Sequence, residues 1–343
     1  MRSVFRKKTR CANYTILERQ HPSSATAFSC EGNSLRARNS GVSLRKDDAL
    51  KPDDPFFRIK LSTHPTPHAN TTMSTNLTRE QRDDAYNNSK AVADSAAIIE
   101  AWGLRSQAFR AAHSSHLDVS YGSGARQSYD YFSAGDQSPV VAFIHGGFWQ
   151  NRAKSDFTFI VPAFIEAGIS VAMMGYTLAP EAQMEQIVQD IRLGLRAVSQ
   201  KIQARRSSNP GIWLSGWSAG GHLTAMALDE PCVLGGTAIS GIFDLEPMRH
   251  CYLNDKLKLD EASALRFSPI QQPAPSGKIL DLFVGGAELP AMQTQTTEFA
   301  QYRANAKAPG IFENLPELNH YTILDEMAHA QGRILQSIKG HFN

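Results

Sequence analysis

Gly211-Ile-Trp-Leu-Ser215-Gly216-Trp217-Ser218-Ala219-Gly220-Gly-His222-Leu223 is the stretch whose reading decides the fold. A short strand leads into Gly-Trp-Ser-Ala-Gly, and a helix is expected from Ala219. The pattern G-x-S-x-G is frequent by chance. Set between strand and helix, it reads as a sharp turn that lifts a serine hydroxyl off the sheet edge, and small flanking residues let the backbone turn tightly. The helix N-terminus behind Ser218 favours developing negative charge. The bland alternative is a glycine-rich bend with an idle serine.

Upstream, Val140-Val-Ala-Phe-Ile144 is apolar throughout, as a central parallel strand should be. It ends on His145-Gly146-Gly147-Phe148-Trp149, where a loop can aim backbone N–H groups at a tetrahedral oxyanion. Gly146, Gly147 and Phe148 are the candidate donors there, with Ala219 from the elbow. Each such donor is typically worth roughly 3–4 kcal/mol at the transition state. His145 reads as a structural residue of that loop. Phe148, Trp149, Tyr176 and Trp217 are candidate walls of an acyl or aryl pocket, with Trp149 and Tyr176 equally readable as core.

A serine needs a base, and His320 follows the last expected strand, in Leu315-Pro-Glu-Leu-Asn-His320. The base needs a carboxylate to orient it. Glu288, in Gly285-Gly-Ala-Glu288-Leu-Pro290, follows the strand expected at 279–284. Asp244, in Ser240-Gly-Ile-Phe-Asp244-Leu-Glu-Pro247, is the alternative acid, and Asp281 sits inside a strand. His222 lies one helical turn past Ser218 and reads as a packing or capping residue.

Around these motifs strands and helices alternate. Strands are expected near 117–121, 128–132, 140–144, 169–174, 211–215, 237–240, 279–284 and 310–315. Helices are expected near 156–167, 181–204, from 219, and over 322–339. In the second of these, Ile187, Ile191, Leu195, Val198 and Ile202 step by four, four, three and four, one apolar stripe. Thr78 with Gln81 marks a helix start. The alternation predicts an α/β domain over 76–343, with a mostly parallel central sheet and helices on both faces. Residues 248–270 carry no clear strand or helix signal and leave a lid open.

Residues 1–72 carry 13 Lys/Arg and 6 Asp/Glu, a net of +7, against 22 and 27, a net of −5, for the rest; the sum is the chain's +2. This segment is rich in Ser, Thr, Pro and Asn and shows no sustained apolar period. It reads as a disordered basic extension, a transit peptide, or upstream sequence translated ahead of Met73, the last being favoured. Leu61 to Asn70 reads as linker. The near-neutral total by itself argues neither for nor against a nucleic-acid partner, and no nucleic-acid or membrane partner is expected, since no apolar run approaches a membrane span. Four cysteines, at 11, 30, 232 and 251, show neither close pairing nor zinc-type spacing, so no metal is expected and a reducing, cytoplasmic setting fits.

His145-Gly-Gly-Phe-Trp149, Gly216-Trp-Ser-Ala-Gly-Gly-His-Leu223, Ser240-Gly-Ile-Phe-Asp-Leu-Glu-Pro247 and Gly285-Gly-Ala-Glu-Leu-Pro290, with Tyr86-Asn-Asn88, together resemble the kynurenine formamidase (arylformamidase) branch of the α/β-hydrolases. The resemblance covers about 76–342. The order Ser218, Glu288, His320 is the one α/β-hydrolases use. The resemblance implies cofactor-free hydrolysis of N-formyl-L-kynurenine to L-kynurenine and formate, through attack of Ser218 on the formyl carbon. It implies a small-molecule substrate and leaves a homodimer open. Trp217 stands where that family often has histidine, and Ala291 and Met292 replace its usual Glu-Phe pair. The competing readings are a carboxylesterase of the hormone-sensitive-lipase type and a non-catalytic binding protein on the same fold.

Overall fold

The computed structural model describes residues 77–113, 116–204 and 211–342, and within 1–76 the backbone of five short strands. The chain divides into two units, Met1–Asn70 and Thr71–Asn343. In the first, Lys8–Cys11 pairs antiparallel with Tyr14–Leu17, and Phe28–Glu31 with Ser34–Ala37, which also pairs Ser43–Leu44. These are two small antiparallel units. Each strand finds its partner a few residues away, so little loop entropy is lost in closing them. The linker at 61–70 and the start at Met73 lie outside the described residues.

The second unit is built on one sheet of eight strands: β1 (Val119–Ser120), β2 (Ser128–Phe132), β3 (Val140–Ile144), β4 (Ser170–Met174), β5 (Ile212–Trp217), β6 (Val233–Ile239), β7 (Ile279–Gly285) and β8 (Phe312–Leu315). Their order is β8-β7-β6-β5-β3-β4-β2-β1. From β3 to β8 all neighbours are parallel, while β2 is antiparallel to both β1 and β4. This is the α/β-hydrolase architecture.

Strand alternation divides the core. Val140, Ala142 and Ile144 face one side with Ala172, Met174 and Leu214. There the helix α2 (Met184–Gln203) seats its whole expected stripe, every member buried. At roughly 1.5–3 kcal/mol for each fully buried aliphatic side chain, that stripe alone holds the helix down. Val141 and Phe143 face the other side with Val171, Met173, Trp213 and Phe283, under Trp102 of α1 (Ser95–Ala112) and Ile334, Leu335 and Ile338 of α5 (Arg333–Gly340).

Several boundaries differ from the sequence reading. The first turns of the 156–167 helix are 3-10, Lys154–Ile160, before Val161–Glu166. The single helix expected over 322–339 is broken into Thr322–Leu324, Asp325–Ala328 and α5, because the backbone turns sharply at Gly332, where any Cβ would strike the Glu326 carbonyl at 2.2 Å. Two long helices escaped the reading: α1, and α4 (Pro290–Asn305), whose buried face includes Gln295, Thr296 and Arg303 and so hides its apolar period. Residues 248–270 form short helices, Asn254–Leu257 and Glu261–Phe267, that bury Leu253, Leu257, Leu259 and Phe267 in the core. No described helix is long and apolar enough to cross a membrane.

Candidate active site

Strand β5 ends at Trp217, and α3 (Ala219–Met226) begins one residue later. Ser218 alone makes the turn, at φ 58° and ψ −118°. A non-glycine residue there stores strain on the order of 1–3 kcal/mol, which the surrounding packing must offset. The amide of Ser218 donates to the Ile239 carbonyl at 2.8 Å, tying the elbow to β6. Gly220 is obligatory: a Cβ there would lie 2.0 Å from the Ile144 carbonyl oxygen. That close approach lets α3 start against the end of β3, so the elbow and the loop after β3 meet.

The loop is held open by unusual backbone. Gly147, Phe148 and Trp149 all have positive φ, 110°, 51° and 58°. At Gly147 a Cβ would lie 2.2 Å from the Asn151 carbonyl, so only glycine serves. The Gly147 and Phe148 segment walls the same cavity as Ser218, whereas Gly146 lies behind it, against the Trp217 ring. Ala219, the first residue of α3, has an amide without an intrahelical acceptor. His145 is fully buried, stacked between Phe157 and Tyr176, and its Nδ1 meets the Gly146 carbonyl at 2.7 Å. Burial lowers its pKa to about 4, so it stays neutral and structural.

His320 and Glu288 come together beyond the ends of β8 and β7. His320 Nδ1 lies 2.7 Å from Glu288 Oε2, both side chains buried. The other carboxylate oxygen accepts from Ser240 Oγ at 2.5 Å and from the Gly285 amide at 2.7 Å. Three hydrogen bonds thus hold Glu288, and Glu288 in turn directs the Nε2 edge of His320 outward. Asp244 is turned elsewhere: its backbone N–H and C=O are both taken by Gln295, and its carboxylate accepts from the Glu246 amide. Desolvation raises its pKa. Asp281 is inside β7, engaged with His341.

Ser218 and His320 open together on a cavity of about 420 Å³, walled also by Trp102, Phe148, Phe157, Trp217 and Tyr321 and by Asn88 and Ser89. Of the four aromatic candidates, Phe148 and Trp217 line it. Trp149 and Tyr176 do not. Both are fully buried: Trp149 donates to His222 Nδ1 at 3.2 Å, and Tyr176 donates to the His145 carbonyl at 3.0 Å. They brace the loop instead, because each has a polar handle satisfied inside the core. His222 meets the Phe267 carbonyl through Nε2, so its Nδ1 is the acceptor for Trp149. Trp217 is more than a bulky flank. Its Nε1 donates to the His320 carbonyl at 2.8 Å and its ring lies 4.8 Å from the imidazole, so the elbow's own neighbour anchors the histidine loop.

Contributors missed from sequence include Ser240 beneath Glu288, Ser89 beside Asn88, Phe157, Tyr321, and Ile99 with Trp102 on α1. Ile99, Trp102, Ser106 and Phe109 step by three, four and three, a helical period that could have revealed α1. Chemically, the assembly offers, on one cavity, a serine hydroxyl and an imidazole held on a carboxylate.

A family model described as BD-FAE matches residues 129–230. The chain is 31% identical over 227 residues to the kynurenine formamidase of Danio rerio, covering 62% of this chain and 76% of that one. It is 30% identical over 239 residues to the kynurenine formamidase of Salmo salar, covering 64% and 79%. A solved structure from Silicibacter, provisionally described as a thioesterase, is 28% identical with a TM-score of 0.66, covering 74% of this chain and 97% of that one.

Proposed function

The chain belongs to the kynurenine formamidase family of α/β-hydrolases, and on that premise we propose that it cleaves an aryl formamide, N-formyl-L-kynurenine or a close analogue, through a formyl-serine intermediate. That it is a hydrolase of formamide or ester bonds follows from its relatives. The observation that carries the finer reading is the convergence of Ser218 with the His320–Glu288 pair on one aromatic-walled cavity.

In the proposed sequence His320 Nε2 takes the proton of Ser218 Oγ as the oxygen attacks the formyl carbon. Glu288 Oε2 stabilises the imidazolium through Nδ1–H. The oxyanion is met by the amides of Ala219 and of the Gly147–Phe148 loop. Collapse of the tetrahedral adduct breaks the C–N bond, and His320 returns its proton to the departing arylamine nitrogen. Water, deprotonated by the same imidazole, attacks the formyl ester. Formate leaves and Ser218 recovers its proton. Trp102, Phe157 and Trp217 offer faces against which an aryl leaving group can pack.

The test is the purified full chain assayed with N-formyl-L-kynurenine and with p-nitrophenyl acetate, beside Ser218→Ala. Both substrates should turn over in the parent, and Ser218→Ala should lower kcat by about 10⁴- to 10⁶-fold. Hydrolysis of the ester without the formamide would overturn the substrate assignment. Activity surviving Ser218→Ala would overturn the mechanism.

A further inference from the structure

We propose that Asn88 is the specificity-determining residue of this cavity, its carboxamide reading a neutral edge of the leaving group in which an N–H donor adjoins a carbonyl acceptor. This deepens the formamidase reading and rests on it. An aryl formamide with a ketone in the ortho position carries such an edge.

Asn88 is 2% exposed and lines the cavity that Ser218 and His320 share. Neither its Oδ1 nor its Nδ2 has a hydrogen-bond partner. Among the described residues the other buried side-chain atom in that condition is His145 Nε2, which is held between two rings and does not line the cavity. A buried amide left unpaired disfavours the folded state unless something completes it. In a cavity shared with Ser218 and His320, a bound substrate is placed to complete it.

The surroundings hold Asn88 in place without using its side chain. Tyr86 is buried beneath Gln295, whose Nε2 donates to the Tyr86 hydroxyl at 3.3 Å. Asn87 caps the short helix Asn88–Ala91 by accepting from the Lys90 amide at 3.1 Å. Ser89 Oγ lies 2.9 Å from the Tyr321 hydroxyl, beside His320, and its carbonyl accepts from Ser95 Oγ at 3.1 Å. Both neighbours of Asn88 are therefore satisfied locally, and the residue between them is not. Such a carboxamide is preorganised, and it offers two donors and an acceptor with no net charge. It matches a neutral, two-sided edge better than an ammonium or a carboxylate.

A site built to pair a polar edge discriminates strongly against analogues that lack it. The experiment compares 2′-formamidoacetophenone with formanilide, which share the formamide and differ in the ortho ketone. The full-length parent should prefer the ketone by about ten- to one-hundredfold in kcat/KM. Asn88→Ala should bring that ratio near one. Asn88→Asp, which keeps the shape and the acceptor but loses the donors, should do the same. Melting temperature should not fall in Asn88→Ala, since no native hydrogen bond is lost. No preference in the parent, an unchanged ratio in the variants, or an equal loss on both substrates would overturn the proposal. If the parent hydrolyses no formamide, the formamidase reading falls. The ratio between 2-acetylphenyl acetate and phenyl acetate then tests Asn88 by the same criteria.

Discussion

Two histidine–carboxylate pairs stand on β7 and the loop that follows it, and they are built alike. Near its start, Asp281 Oδ2 lies 2.7 Å from His341 Nε2; beyond its end, Glu288 Oε2 lies 2.7 Å from His320 Nδ1. Each carboxylate also accepts from a serine, Ser337 or Ser240, and from a backbone amide, that of Ile311 or Gly285. Each imidazole lies against a tryptophan of β5, Trp213 or Trp217. Only the second pair shares a cavity with an elbow serine. A buried histidine on a carboxylate is thus first a packing device. We propose that it becomes acid–base machinery where parallel strands end, because their C-terminal loops converge there and a helix N-terminus faces them.

The largest expected effect tests this division directly. Glu288→Gln should lower kcat by about 10³- to 10⁴-fold, as loss of the orienting carboxylate does in serine hydrolases. Asp281→Asn should leave kcat within about twofold while lowering the melting temperature. Steady-state kinetics and thermal melts of both variants check it, and comparable rate losses would erase the distinction between the pairs.

A second contrast sets these pairs against the two buried histidines that lack a carboxylate. Desolvation pushes His145 and His222 down to about 4 from an ordinary value near 6.5. The unfolded chain then binds more protons than the folded one as pH falls from about 6.5 to 4. The stability of neutral burial is full above that window and is lost on acidification through it, by roughly 3 kcal/mol for each histidine. Urea midpoints should fall across this range, and replacing His222 with a neutral isostere should flatten part of the slope. A midpoint independent of pH would refute the assignment.

The smallest effect falls on the exposed partner of the first pair. His341, whose side chain is 25% exposed, gives Asp281 one of three partners. His341→Ala should cost about 1–2 kcal/mol in unfolding experiments with turnover unchanged. A larger loss would make this pair a core element and not a terminal clasp.

The elbow was legible because the backbone itself demands it. Gly220 has no room for a Cβ and Ser218 must adopt positive φ, so the small residues announce the turn. His320 and Glu288 were legible from their position after strands. Asp244 remained a competitor, since it too follows a strand, and Gln295 decides against it from an unrecognised helix. Trp149 and Tyr176 were open between pocket and core, because an aromatic near a motif serves either role until its polar handle is located.

By itself the sequence determined the alternation of strands and helices, the strand-to-helix elbow at Ser218, and the chain order of serine, carboxylate and histidine. Each is a local pattern, written in spacing and in residues whose backbone freedom is required. Only the tertiary structure decided which carboxylate meets His320, that Trp217 anchors the histidine loop, and that Asn88 is buried without a partner on the cavity that Ser218 lines. Those outcomes depend on contacts between distant segments, from 32 residues apart for Glu288 and His320 to 103 for Trp217 and His320, where side-chain direction, burial and competing hydrogen bonds choose among partners that the linear pattern leaves equal.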